Sequence, residues 1–150
     1  MKYKIKDLSL AKIYSLGESF IDKFLPNYFY EKELFSLKSS LGVFLILLRY
    51  HEPQIFEILD NLEIFPEIYA TTWIMTYAFG KLKLDIAYNL LDYILEINDP
   101  LFMHFYFVSM IGNRKELLIN CKKKLIPTLM ASLTILSIDE LNTVVKKLKI

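Results

Sequence analysis

Five prolines, at positions 26, 53, 66, 100 and 127, punctuate this 150-residue chain at intervals that leave room for one or two helices between neighbours. Proline fits the first turn of a helix, where its missing N–H would be unpaired anyway, and interrupts a helix or central strand elsewhere. Only four glycines accompany them, Gly17, Gly42, Gly80 and Gly112. Neither Asn-Gly nor Asp-Gly occurs, so the commonest tight-hairpin chemistry is absent.

Between the prolines the apolar residues recur at helical spacing. Ser15 and Glu18 stand at capping-box separation and predict a first helix running to Leu25. A second is expected over 36–50, with Leu37, Leu41, Phe44, Leu45 and Leu48 on one face. His51-Glu52-Pro53 interrupts it, and a short helix with Ile55, Phe56 and Leu59 follows. Pro66 opens a helix bearing Tyr69, Trp73 and Tyr77 at i, i+4 and i+8; the stretch 85–97 aligns Ile86, Leu90, Leu91, Ile94 and Leu95. Pro100 begins the most hydrophobic helix, which stops near Gly112. Helical stretches are expected over 114–125 and 127–136. A second capping box, Ser137-Ile138-Asp139-Glu140, opens the last helix, with Lys146, Lys147 and Lys149 near its C-terminus, where cations favour the macrodipole. The expectation is an all-α, single orthogonal or irregular domain of about seven to eight helices over residues 1–150.

Charge and cysteine content narrow the function. Eighteen Lys and Arg against seventeen Asp and Glu give no sign of nucleic-acid binding. One cysteine, Cys121, cannot form an internal disulfide, which suits a reducing, cytoplasmic setting. The start, Met1 to Asp7, has no apolar segment behind its charges and is not a secretory signal. Uncharged stretches such as 68–80 and 100–113 fall short of the roughly 18–20 residues that cross a bilayer, so no transmembrane segment is expected. A hydrophobic fraction of 54% is high for a domain of this size, and implies that some apolar face meets a partner: a second copy in a homodimer, or a missing N-terminal lobe.

Chemistry-bearing clusters are scarce. His51, His104 and Cys121 are too dispersed for a zinc site or a Cys–His nucleophile pair, and His104 reads as a packed or hydrogen-bonded core residue. No phosphate-binding glycine loop occurs, and no carboxylate pair stands out. Tyr28-Phe29-Tyr30 and the Tyr69, Trp73, Tyr77 stripe read as core. Lys122-Lys123-Lys124 reads as a solvated helix end, with weak contact to anionic lipid as the alternative. These residues imply no catalytic site, metal or cofactor.

Three ordered segments are more specific. Leu47 to Ile55 contains Arg49-Tyr50-His51-Glu52-Pro53-Gln54. Phe65-Pro66-Glu67-Ile68-Tyr69-Ala70-Thr71-Thr72-Trp73 follows, and then Leu90-Leu91-Asp92-Tyr93 with Asn98-Asp99-Pro100 behind it. With the lead-in Leu25-Pro26-Asn27-Tyr28, this order resembles the C-terminal half of TBC (Rab GTPase-activating) domains over about residues 20–118, leaving 119–150 as C-terminal helices. The family pattern there is a His-Asp/Glu-Pro turn, a Pro-Glu/Asp-x-Tyr/Phe-Ala-x-x-Trp helix and a Leu-Trp-Asp helix leading to an acidic turn. His51, Glu52, Pro53, Pro66, Tyr69, Trp73, Asp92, Asp99 and Pro100 carry the match, as structural positions. Leu91 departs from the usual Trp. The nearest likeness is to divergent TBC proteins of Golgi and endosomal trafficking, some of which act as adaptors for tethers.

The resemblance implies a Rab-type small GTPase or a trafficking tether as partner, and a cytoplasmic location peripheral to Golgi or endosomal membranes. Active members supply an arginine from Ile-x-x-Asp-x-x-Arg and a glutamine from Tyr-x-Gln; such an arginine finger is worth about 10³–10⁵ in rate. Here the only arginines are Arg49 and Arg114 and the only glutamine is Gln54, none in those contexts. In the family both fingers lie upstream of the matched segment. The expectation is a segment of a longer TBC protein, or a lineage that has dispensed with catalysis.

Overall fold

The computed structural model describes residues 9–28 and 34–148. Nine α-helices occur among them, one or two more than the sequence suggests, and no strand. They are α1 (Leu10–Phe24), α2 (Phe35–His51), α3 (Pro53–Asn61), α4 (Pro66–Met75), α5 (Leu84–Ile97), α6 (Phe102–Asn113), α7 (Lys115–Asn120), α8 (Ile126–Ser132) and α9 (Ile138–Lys146). Single 3₁₀ turns at Phe79–Lys81 and Lys123–Leu125 join α4 to α5 and α7 to α8.

The prolines do the punctuating that their chemistry predicts. Pro53 and Pro66 occupy the first turns of α3 and α4, and Pro127 that of α8. Pro100 instead sits in the turn two residues ahead of α6. Ser137 caps α9 by accepting from the Glu140 N–H at 3.1 Å, and the Glu140 carboxylate reaches back to the Leu136 N–H at 2.9 Å. Asn98 ends α5 in the left-handed conformation that asparagine tolerates, its N–H bonded to the Ile94 carbonyl at 2.9 Å.

Four expectations are corrected. The first helix starts at Leu10, not at the Ser15 capping box; Ser9 accepts from the Lys12 N–H at 3.4 Å, and Ser15 lies inside the helix. Tyr77 is buried but lies beyond α4, because Tyr77 and Ala78 both take positive φ (51° and 64°) and end the helical run. The stretch 127–136 stops being helical at Ser132: Leu133 turns extended, and Leu133 and Ile135 are buried on either side of half-buried Thr134, a period of two. Similarly, 114–125 divides into α7 and a 3₁₀ turn. Met1 to Asp7, Phe29, Tyr30 and Lys149 lie outside the described residues.

α6 is the centre of the fold. Phe102, Met103, Tyr106, Phe107, Val108, Met110 and Ile111 are buried around its whole circumference, the pattern of a helix enclosed by others. α2, α5 and α9 pack against it; α2 also holds α3 and α4, and α4 holds α8. α1 is joined to this body by its last turn only, where Phe20 and Phe24 meet the Tyr77 ring at centroid distances of 5.2 and 5.8 Å.

Candidate functional site

The segment around His51, Glu52 and Pro53 forms a tied corner. Glu52 leaves helical geometry (φ −132°, ψ 61°), donates its N–H to the Leu48 carbonyl at 2.8 Å, and accepts from the Phe56 N–H at 3.0 Å. One residue thus closes α2 and opens α3, and Pro53 follows where no N–H is needed. The Glu52 carboxylate crosses to the α6–α7 junction, 3.1 Å from Lys115 Nζ. It lies so close over Gly112 that a Cβ built there would stand 2.5 Å from Oε1, which accounts for the glycine. The His51 ring meets the edge of Phe105 at 5.9 Å. Next to Lys115, Arg114 pairs with Glu140 of α9 at 2.6 Å.

Pro66, Tyr69 and Trp73 lie elsewhere, in the core. Tyr69 stacks edge-on with Phe44 (6.1 Å) and Trp73 (5.3 Å), and Trp73 continues to Phe107 at 5.7 Å. Tyr69 OH, Trp73 Nε1 and Tyr106 OH have no hydrogen-bond partner among the described residues. Burial pushes the Tyr69, Tyr77 and Tyr106 phenols well above their ordinary value, and the carboxylates of Glu67, Asp99 and Glu140 add to it respectively. All three stay neutral through the physiological range. Asp92 is exposed on α5, while Asp99 accepts from the Leu101 N–H at 2.8 Å and orders the turn that holds Pro100 ahead of α6.

The structure therefore distributes these nine residues over a corner, a core ladder, the outer face of α5 and a turn; it does not gather them into a cleft. The two best-formed cavities have room for about one water each. One is lined by Thr72, Trp73, Tyr106 and Ile135, the other by Tyr28, Ser40, Tyr77, Pro100 and His104. In the second, Ser40 Oγ lies 2.6 Å from His104 Nε2, and Tyr28 lines the same space. A serine beside a histidine has the makings of a nucleophile and base. Ser40 is buried, however, and the space beside it admits no substrate, so the pair serves to tie α2 to α6. Burial holds the His104 imidazole below its ordinary value, against an opposing hydrogen bond with the Leu101 backbone.

Sequence reasoning missed Ser40 and Gly112. Ser40 had a signal: it falls between Leu37 and Phe44 on the buried face of α2, a polar residue on an apolar stripe. Gly112 had none, since the approach of Glu52 is a tertiary event. Among the described residues no group of three or more His, Cys, Asp or Glu could hold a metal ion. The two arginines are both engaged, Arg114 with Glu140 and Arg49 over the Phe56 ring at 5.7 Å, and Gln54 is exposed in the first turn of α3.

The family resemblance carried by the motifs agrees with what comparison of the sequence with known proteins finds. A sequence profile of the Rab-GTPase-TBC domain matches residues 5–119, well over half the chain. It starts earlier than the resemblance read from motifs and ends at nearly the same place, in α7. The chain is also similar to the TBC domain-containing protein kinase-like proteins of Homo sapiens, Mus musculus and Gallus gallus. In each case 27% of residues are identical over 85 residues, covering 57% of this chain and 10% of the relative. The matched part thus spans about a tenth of the length of these curated relatives. On the extent of the profile match, the chain belongs to the Rab-GTPase-TBC domain family.

Proposed function

We propose that this chain takes part in small-GTPase regulation of vesicle trafficking as a TBC segment that supplies scaffold and contact surface but neither catalytic finger. The observation that carries the reading is the state of its arginines. A finger must be a free guanidinium that reaches the transferring phosphoryl group. Arg114 is paired with Glu140, Arg49 is exposed with a weak contact to the Phe56 ring, and neither stands in the family's finger motif. Within the full polypeptide the fingers would come from another segment or be absent. The segment would work in the cytoplasm, peripheral to Golgi or endosomal membranes; among the described residues no helix is long and apolar enough to span one.

The test is single-turnover GTP hydrolysis by a panel of Rab GTPases with and without the chain, with binding measured alongside. Binding without acceleration is the expected result, and acceleration would sink the fingerless reading.

A second reading, a non-catalytic adaptor that holds a tether, draws on the outer faces of α1 and α2. Phe35, Val43, Ile46 and Tyr50 share one side of α2 at helical spacing and are all exposed, Ile46 at 70% and Tyr50 at 80%. On α1, Leu10, Ile13, Tyr14 and Ile21 do the same, Leu10 at 85%. Such faces are covered in a working protein, by another TBC lobe, a tether or a second copy.

A further inference from the structure

We propose that the face built around α8 is a contact surface for an anionic membrane. Lys122, Lys123 and Lys124 are exposed immediately ahead of α8, the last two in the 3₁₀ turn Lys123–Leu125. At the other end of the helix Lys81 Nζ donates to the Ala131 carbonyl, and Thr134 Oγ1 donates to the Lys81 carbonyl at 3.4 Å. Lys83, also exposed, follows two residues on. A helix of seven residues is about 10 Å long. Lysines at its two ends are therefore roughly one physiological Debye length apart, and their potentials add.

What distinguishes the α8 part of this face from an ordinary solvated one is the lack of carboxylates, although exposed Asp85 stands two residues beyond Lys83 at its far edge. From Leu117 to Ile138 the sequence contains no Asp or Glu. Arg114 and Lys115, just before this span, are both neutralised by ion pairs, whereas none of Lys122, Lys123 and Lys124 has an ion pair among the described residues. The outward residues of α8 itself, Pro127, Thr128, Ala131 and Ser132, are uncharged and small, while Ile126 and Met130 anchor it to the core. Leu125 stands in the lysine turn with 54% of its surface exposed, and Leu117 is exposed on the preceding helix. Basic side chains next to exposed leucines, with no acid between them, suit anionic headgroups over a hydrocarbon boundary. With a net charge of only +1, attraction must come from this local arrangement and not from the whole chain.

The inference does not depend on the GTPase reading, because its test contains no GTPase. The full chain is sedimented with phosphatidylcholine vesicles and with vesicles containing 30% phosphatidylserine. Preferential binding to the anionic vesicles is expected, weakening as salt rises. Lys122→Ala/Lys123→Ala/Lys124→Ala should reduce that binding on the order of a hundredfold. Removing Lys12 and Lys38, exposed on α1 and α2, should leave it within about twofold. Equal binding to both vesicle types, no binding, or a triple variant that binds like the parent would overturn the proposal. So would an equal loss in the Lys12→Ala/Lys38→Ala control, which would indicate attraction by total charge. Circular dichroism of each variant establishes that the helices persist.

Discussion

α1 and α6 both lie inside the family match and both carry large apolar side chains, yet they meet opposite fates. α6, with twelve residues, buries seven of them. α1, with fifteen, buries one, and every residue from Leu10 to Ser19 is exposed. Composition separates them in part, since α1 carries Lys12, Glu18, Asp22 and Lys23 whereas α6 has no Asp, Glu, Lys or Arg; neighbours do the rest. α2, α5 and α9 close round α6, whereas the first three turns of α1 have no buried side chain. An isolated helix of about fifteen residues is marginal in water, so the Ser9 cap and the Phe20–Phe24 dock leave α1 dependent on whatever covers its face.

The contrast should appear first as energy. Phe107→Ala empties a fully enclosed site against Trp73 and Tyr106 and should destabilise the chain by about 3–5 kcal/mol. Leu10→Ala should change stability by less than about 0.5 kcal/mol. Urea unfolding of the two variants measures both. A loss at Leu10 approaching that at Phe107 would mean that α1 is part of the cooperative core.

A second, smaller effect sharpens the comparison at the Glu52 corner. Alanine normally improves a helix interior over glycine by up to about 1 kcal/mol. At Gly112 the new Cβ would meet the Glu52 carboxylate at 2.5 Å and push it from Lys115. The carboxylate is the free end of a flexible side chain and can swing aside, so Gly112→Ala should forgo that gain and shift stability by no more than about 1 kcal/mol. In a Glu52→Ala background the same change should become neutral or stabilising. Additive effects in that double-mutant cycle would show that the close approach carries no energy. Gly17, in α1, meets nothing within 4 Å, so Gly17→Ala should only stabilise.

These two glycines also mark how far sequence reading reaches. Proline positions, the Ser137 capping box and apolar spacing made the all-α class and most helix positions legible, because each is a local interaction that leaves a local pattern. The start of α1 was misplaced because Ser15 and Glu18 satisfy the box in spacing while the helix runs straight through them. The ends of α4 and α8 were misplaced because the positive φ at Tyr77 and the extended turn at Leu133 have no glycine or proline to announce them. At the site, the His51-Glu52-Pro53 turn was readable as a helix break. Its tie to Gly112 and Lys115 was not, since nothing in either segment encodes the other.

Acid should probe the joint between the two regions. Ser40 of α2 meets His104 of α6 in a space that Tyr28, just past the end of α1, also lines. Burial lowers the folded-state pKa of His104, so the unfolded chain takes up its proton first. The stability that neutral His104 confers is complete above the unfolded value of about 6.5. It is lost as pH falls from there through the folded value. Urea midpoints should fall over that window, and His104→Gln should remove that part of the slope. A parent-like slope in His104→Gln would assign the effect to carboxylates instead.

The smallest stability effects are expected on the uncovered faces, and there the two regions can be told apart by association instead of folding. Ile46→Glu on α2 and Tyr14→Glu on α1 replace side chains 70% and 73% exposed, so each should shift the unfolding free energy by no more than about 0.5 kcal/mol. If those faces receive a partner, a buried unpaired carboxylate would weaken the contact by several kcal/mol. Sedimentation velocity of the chain alone tests the second copy; binding to a Rab GTPase or a tether tests the others. Loss of association in both variants, with folding intact, would make α1 and the outer stripe of α2 one continuous interface. Loss in Ile46→Glu alone would leave α1 as an appendage, and its exposure would then need another cause.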